Sequence, residues 1–125
     1  MLIAATSSLF LMFQSGAGLA YSEGLARADR YKDDLAAQTW RTEVMDPFLR
    51  PKTAALLDRC YSGTYRRRMT FSVIVSFEKG AFDRVDSDSD DAVASCVADV
   101  FSTYRWPKPP YDDFAEKFNF DLKPN

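Results

Sequence analysis

The side chains able to do chemistry are few in kind. The chain contains no histidine, which removes the usual general base at neutral pH, the common zinc-ligating imidazole and every Ser/His or Cys/His nucleophile pair. Carboxylates, two cysteines and a short basic run remain. The carboxylates are densest in FDRVDSDSDDAVASC, Phe82 to Cys96, where Asp86, Asp88, Asp90 and Asp91 stand close together like the opening of a calcium loop. An EF-hand needs oxygen ligands at alternate positions, a glycine at the sixth and a glutamate at the twelfth. Counted from Asp86, the sixth residue is Asp91 and the twelfth is Val97, so that form of site is excluded and only a weak, irregular one is left open. The same residues suit a helix start, with Ser87, Asp88 or Ser89 capping the first amides and Asp90 and Asp91 in the first turn against the positive end of the dipole.

The other carboxylates are scattered. Glu43, Asp46, Asp112, Asp113 and Glu116 contain the material for an acid/base pair of glycosidase type, but the sequence sets no separation between any two of them. Cys60 and Cys96 cannot hold zinc alone, and their spacing is not that of a C-x-x-C redox pair. In an oxidising compartment a single disulfide is their natural use; the alternative is two reduced, buried cysteines. Arg66, Arg67 and Arg68 form too short a run for a nucleic-acid surface, and a formal charge of -2 adds no bulk attraction for one. Aromatics make up 14% of the chain, yet their periodicity assigns most of them to a core rather than a stacking platform. No catalytic residue, metal ligand or cofactor is assigned on these grounds.

Positioning these residues falls to one domain, since 125 residues at 46% hydrophobic content suffice for a single core. Residues 1–20, MLIAATSSLFLMFQSGAGLA, carry no charged side chain and hold an apolar run at Leu9 to Phe13. They end in small residues, Gly18 and Ala20, that suit cleavage, so they read as a signal peptide and imply a periplasmic or secreted product; the alternative is a buried N-terminal helix. The apolar run is too short to span a membrane. Residues 21–51 are expected as a helical extension: Ser22 to Trp40 places Leu25, Ala28, Leu35 and Ala36 near one stripe, after which Pro47 and Pro51 interrupt the chain.

Residues 52–125 hold the remaining elements. A helix opening at Pro51 carries Leu56, Leu57, Cys60 and Tyr61 inward. Met69 to Phe77 alternates apolar and polar residues as a strand, EKGA supplies a turn, and residues 82–86 return as its antiparallel partner. Val93, Cys96, Val97, Val100, Phe101 and Tyr104 share one helical face. RWPKPPY breaks that helix, and Phe114 to Leu122 alternates again as a third strand. Together these predict an α+β fold, a two-layer sandwich with helices on one face of a small three-stranded antiparallel sheet. Cys60 and Cys96 then project into the same helical layer, where a bridge would close a loop of about 37 residues and stabilise the fold by about 3 to 4 kcal/mol.

The succession of Cys60, the strand FSVIVSFEKGAFDRV, an acidic, serine-rich approach to a helix bearing Cys96, the RWPKPP break and the final strand FAEKFNFDL resembles the C-terminal domain of the TonB energy-transducer superfamily. The two-cysteine versions of the AgmX/PglI kind are the nearest in pattern. The likeness covers about residues 52–122. It implies a TonB C-terminal-like fold and a periplasmic module that binds another protein, with the last strand as the edge to which a partner strand adds. On that reading Lys117, Asn119 and Asp121 face outward, with Trp106 and Tyr111 near the start of the strand. The chain departs from the transducer pattern in showing neither a membrane anchor nor a long Pro/Lys-rich linker. The expectation is therefore an exported, non-enzymatic binding module for an envelope protein or peptide, with no nucleic-acid partner and no stable membrane insertion. The alternatives are a periplasmic immunity or inhibitor protein and a small carboxylate-based hydrolase.

Overall fold

The structure, a computed structural model, describes residues 18, 20–63 and 66–124. Helix α1 covers residues 20–30, and after a turn at residues 31–33 helix α2 runs over Leu35–Trp40. The single helix expected from Ser22 to Trp40 is thus two. The reason is Asp34, whose Oδ2 accepts the Ala37 N–H at 3.0 Å and caps a new helix instead of continuing the old one. Leu35 falls off the expected stripe and is 76% exposed.

From α2 the chain continues as a π turn over Arg41–Met45, α3 over Asp46–Leu49, a 3-10 turn over Arg50–Lys52 and α4 over Thr53–Cys60. Pro47 and Pro51 do not interrupt this run as expected. Each sits in the first two positions of a new segment, α3 and the 3-10 turn respectively, where its missing N–H coincides with a change of hydrogen-bond spacing. The boundary expected between residues 51 and 52 therefore lies inside a continuous helical path. Ala37, Trp40 and Met45 from the first part of that path are buried in the same core as Leu56 and Cys60 from the second.

Strands β1 (Met69–Glu78), β2 (Ala81–Ser87) and β3 (Phe114–Leu122) form one antiparallel sheet in the order β2-β1-β3. Lys79 and Gly80 both take positive φ, 54° and 78°, and link Glu78 to its partner Ala81 in a two-residue hairpin turn matched to strand twist. The β1–β3 register is unbroken from Met69 opposite Leu122 to Phe77 opposite Phe114. Phe71, Val73, Val75 and Phe77 point to one face, where α5 (Ala92–Phe101) packs Val93, Val97, Val100 and Phe101 against them. The Cys60–Cys96 disulfide, with Cα atoms 5.5 Å apart, ties α4 to α5 within that layer. The α+β sandwich and its disulfide are as the sequence predicts.

The other face of the sheet is also covered, which strand alternation alone did not foresee. Ala28 of α1 packs on Ile74 and Ala115, with Tyr21 and Leu25 partly buried alongside. Gly24 permits the close approach: a Cβ there would lie 2.9 Å from Ile74 Cγ2. The expected leader lies outside the described residues except for Gly18 and Ala20, which are helical. No helix among the described residues is long and apolar enough to cross a membrane.

Candidate functional site

The sheet leaves β3 as an edge strand, hydrogen-bonded to β1 on one side only. Which of its main-chain groups are free follows from Ser72 on the central strand. Its N–H donates to Asp88 Oδ1 at 2.9 Å and its C=O accepts the Asp88 N–H at 3.1 Å, so both groups face the β2 side. Antiparallel pairing alternates strictly, which turns Phe71, Val73 and Val75 toward β3 and makes Phe120, Phe118 and Glu116 their doubly bonded partners. The N–H and C=O groups of Lys117, Asn119 and Asp121 consequently point away from the sheet. Among the described residues no main-chain bond outside the β1 ladder engages them.

Lys117, Asn119 and Asp121 are exposed, as expected, and their side chains share the α1 side of the sheet. Asn119 is held in place by Ser72, whose Oγ donates to Asn119 Oδ1 at 2.7 Å. Tyr111 and Trp106 do not join this set. Tyr111 stacks on Tyr31 at 4.8 Å and donates its hydroxyl to Asp34 Oδ2 at 2.8 Å, which holds its pKa above the usual value and fastens the loop before β3 to the α1–α2 turn. Trp106 is half-buried among Phe48, Phe82, Phe101, Tyr104 and Phe118, and its indole N–H donates to the Phe101 C=O at 2.9 Å. Its polar atom is spent on the end of α5, and its ring serves packing.

At the start of β3 the Glu116 side chain is held by a residue the sequence reading passed over. Arg41 donates its Nε–H to both carboxylate oxygens of Glu116, at 2.9 and 2.7 Å, and its two terminal nitrogens donate to the Lys32 and Tyr31 carbonyls at 3.3 and 3.2 Å. One guanidinium thus joins the π turn, the turn after α1 and β3. Burial pushes the Glu116 carboxyl above its ordinary range, with Arg41 opposing the shift through its hydrogen bond and charge. A carboxyl raised in this way favours the folded state when protonated. That contribution is full below the unfolded value and lost as pH rises through the folded one. Wild type should therefore gain stability relative to Glu116→Gln on acidification from about pH 7 to about pH 4, the range just above an ordinary glutamate pKa. The check is urea unfolding of both proteins at each pH; a stability difference that stays flat would refute the assignment.

The acidic run is spent on local structure. Strand β2 continues through Ser87, and Asp88 extends the ladder with its side chain on Ser72, so none of Ser87, Asp88 and Ser89 caps α5. The cap is Asp91, whose Oδ1 accepts the Val93 N–H at 2.9 Å and whose other oxygen pairs with Arg67. Asp90 and Asp91 precede the first turn rather than occupying it, because the strand and its turn take up the residues before them. Among the described residues no group of three or more His, Cys, Asp or Glu side chains is arranged to hold a metal ion. Of the scattered carboxylates, Asp46 pairs with Arg50, and Glu116 lies with Arg41 in a cleft whose other acidic side chain is Asp29. Arg66 and Arg68 are exposed.

The geometry offers an open, partly crowded strand edge more readily than a reaction centre. A comparison with known proteins adds nothing to it: no family model matches the chain, and neither curated proteins nor solved structures give a match.

Proposed function

We propose that the protein is an exported, non-enzymatic module that binds an envelope protein or peptide by adding an extended segment to β3. The observation that carries this reading is the outward main chain of Lys117, Asn119 and Asp121, three alternate sites for a partner's hydrogen bonds on the side of β3 that has no partner strand among the described residues. Two further features support it. The Cys60–Cys96 disulfide suits an oxidising compartment, the periplasm or the exterior. The resemblance of residues 52–122 to the TonB C-terminal domain also makes the last strand the receiving edge.

Asn119→Pro tests the reading. The Asn119 N–H points outward, so proline removes a donor from the free edge without taking one from the β1 ladder, as edge strands tolerate. Asn119→Ala is the control, because it loses the Ser72 bond but keeps the outward N–H. In capture from a bacterial envelope extract, the bound protein should remain on wild type and Asn119→Ala and fall by about two- to tenfold on Asn119→Pro, the effect of about 0.5 to 1.5 kcal/mol for one lost hydrogen bond. Undiminished capture by Asn119→Pro would mean that a loop or helix face makes the contact.

A further inference from the structure

The free edge of β3 is complementary to itself, and we propose that it pairs antiparallel with the same edge of a second copy about a two-fold axis through Asn119. The inference rests on the same open edge as the proposed function, and not on the partner named there. The strand reads Lys117, Phe118, Asn119, Phe120, Asp121. Centred on Asn119, an antiparallel pairing sets Lys117 of each copy opposite Asp121 of the other, and Asn119 opposite Asn119. These are the positions with outward N–H and C=O groups, so every opposite pair can exchange both of its main-chain bonds.

Side chains on both faces agree with that register. On the α1 side, two cross-strand ion pairs flank a central amide pair. Among the described residues the ion pair of Asp121 is with Lys123, at 3.9 Å and exposed, a loose contact that leaves its carboxylate available. On the helical-layer side Phe118 stands opposite Phe120 of the other copy. Both rings are half-buried, and Phe120 already stacks on Phe71 at 4.8 Å, so pairing would extend an aromatic stack across the axis.

Neighbouring registers fail the same test. Centring on Phe118 sets Lys117 against Asn119 with no opposite charges facing, and centring on Phe120 sets Lys117 against Lys123. A lysine on an edge strand ordinarily blocks pairing. Here an aspartate four residues on converts the block into a match, in one register only. The result is a closed, isologous dimer with one sheet running through both copies. Dimerisation and capture of a partner strand would then compete for one edge.

Sedimentation velocity from micromolar to millimolar protein tests the proposal, with far-UV circular dichroism confirming that each variant folds. Wild type should show a concentration-dependent dimer. Lys117→Asp and Asp121→Lys should each raise the dissociation constant by about tenfold or more, since each sets like charges opposite one another twice. An equimolar mixture of the two should dimerise again, as an acidic edge meets a basic one, and Asn119→Pro should remain monomeric. A wild type that stays monomeric to millimolar concentration, or a dimer indifferent to Lys117→Asp, overturns the inference. A monomeric wild type that still captures a partner refutes this dimer and leaves the proposed function standing. Dimers formed as described, with capture unimpaired by Asn119→Pro, refute the proposed function alone.

Discussion

Trp40→Ala is expected to lower the free energy of unfolding by about 3 to 5 kcal/mol, the usual cost of truncating a large buried aromatic. Trp40 is 6% exposed and meets Phe77 and Phe114 edge-on, with ring centroids 6.3 and 5.2 Å away. Its indole N–H donates to the Lys108 C=O at 2.8 Å, which ties α2 to the proline-rich segment leading into β3. Truncation leaves a cavity against two strands and an unpaired carbonyl. Urea unfolding followed by far-UV circular dichroism measures the loss, because the substitution removes one of only two tryptophans and compromises fluorescence. Leu35→Ala on the same helix, at a 76% exposed position, should change stability by no more than about 0.5 kcal/mol. Equal effects at the two sites would mean that residues 21–51 are an appendage and not part of the core.

The second large effect is expected from the cysteines. Replacing Cys60 and Cys96 together with alanine should cost about 3 to 4 kcal/mol, chiefly by restoring conformational freedom to the unfolded chain. The bridge spans a sequence separation of 36 and encloses the β1–β2 hairpin, so unfolded chains that keep it still hold the ends of that segment together. Alanine is the right replacement, since serine at the 4% exposed Cys60 would bury a hydroxyl and add its own cost. Unfolding of wild type with a thiol reductant should move to the midpoint of the double variant, whereas the variant itself should be indifferent to reductant. Coincident curves for oxidised and reduced wild type would show that the bridge contributes nothing in solution.

Local patterns were the most legible part of this chain. Alternation in MTFSVIVSF, the EKGA turn and the apolar face of Val93 to Phe101 each arise within a few residues, where the period of two or 3.6 is set by backbone geometry and nothing distant intervenes. Those phases also turned Cys60 and Cys96 toward each other. Errors fell where two local signals compete. Asp34 lies inside a helical stripe and is also a strong cap, and the cap prevailed, its carboxylate accepting both the Ala37 N–H and the Tyr111 hydroxyl. The KDDL sequence carried a signal for this start, an aspartate directly before an apolar residue, though the longer stripe masked it. In the acidic run several residues could cap α5, and the choice of Asp91 depended on how far β2 would run.

The candidate site divides along the same line. That β3 is a strand with Lys117, Asn119 and Asp121 on one side is a property of the sequence, because side chains alternate along any extended chain. That it lies at the edge of the sheet was decided only by tertiary pairing: β1 has two sides, and β2 and β3 each took one. Which main-chain groups of β3 face outward was settled farther away still, by Ser72 turning its amide and carbonyl toward Asp88 on the opposite strand. The cover on the second face and the Arg41 clamp on Glu116 likewise join residues far apart in sequence, 46 positions between Ala28 and Ile74 and 75 between Arg41 and Glu116. No periodicity reports such contacts, since they depend on where whole elements come to rest. The sequence by itself determined the strands, the α5 face and the helical layer shared by the two cysteines, because those patterns are local; the tertiary structure decided that β1 is central and that β2 and β3 each keep one side unpaired, because pairing joins residues far apart in the chain.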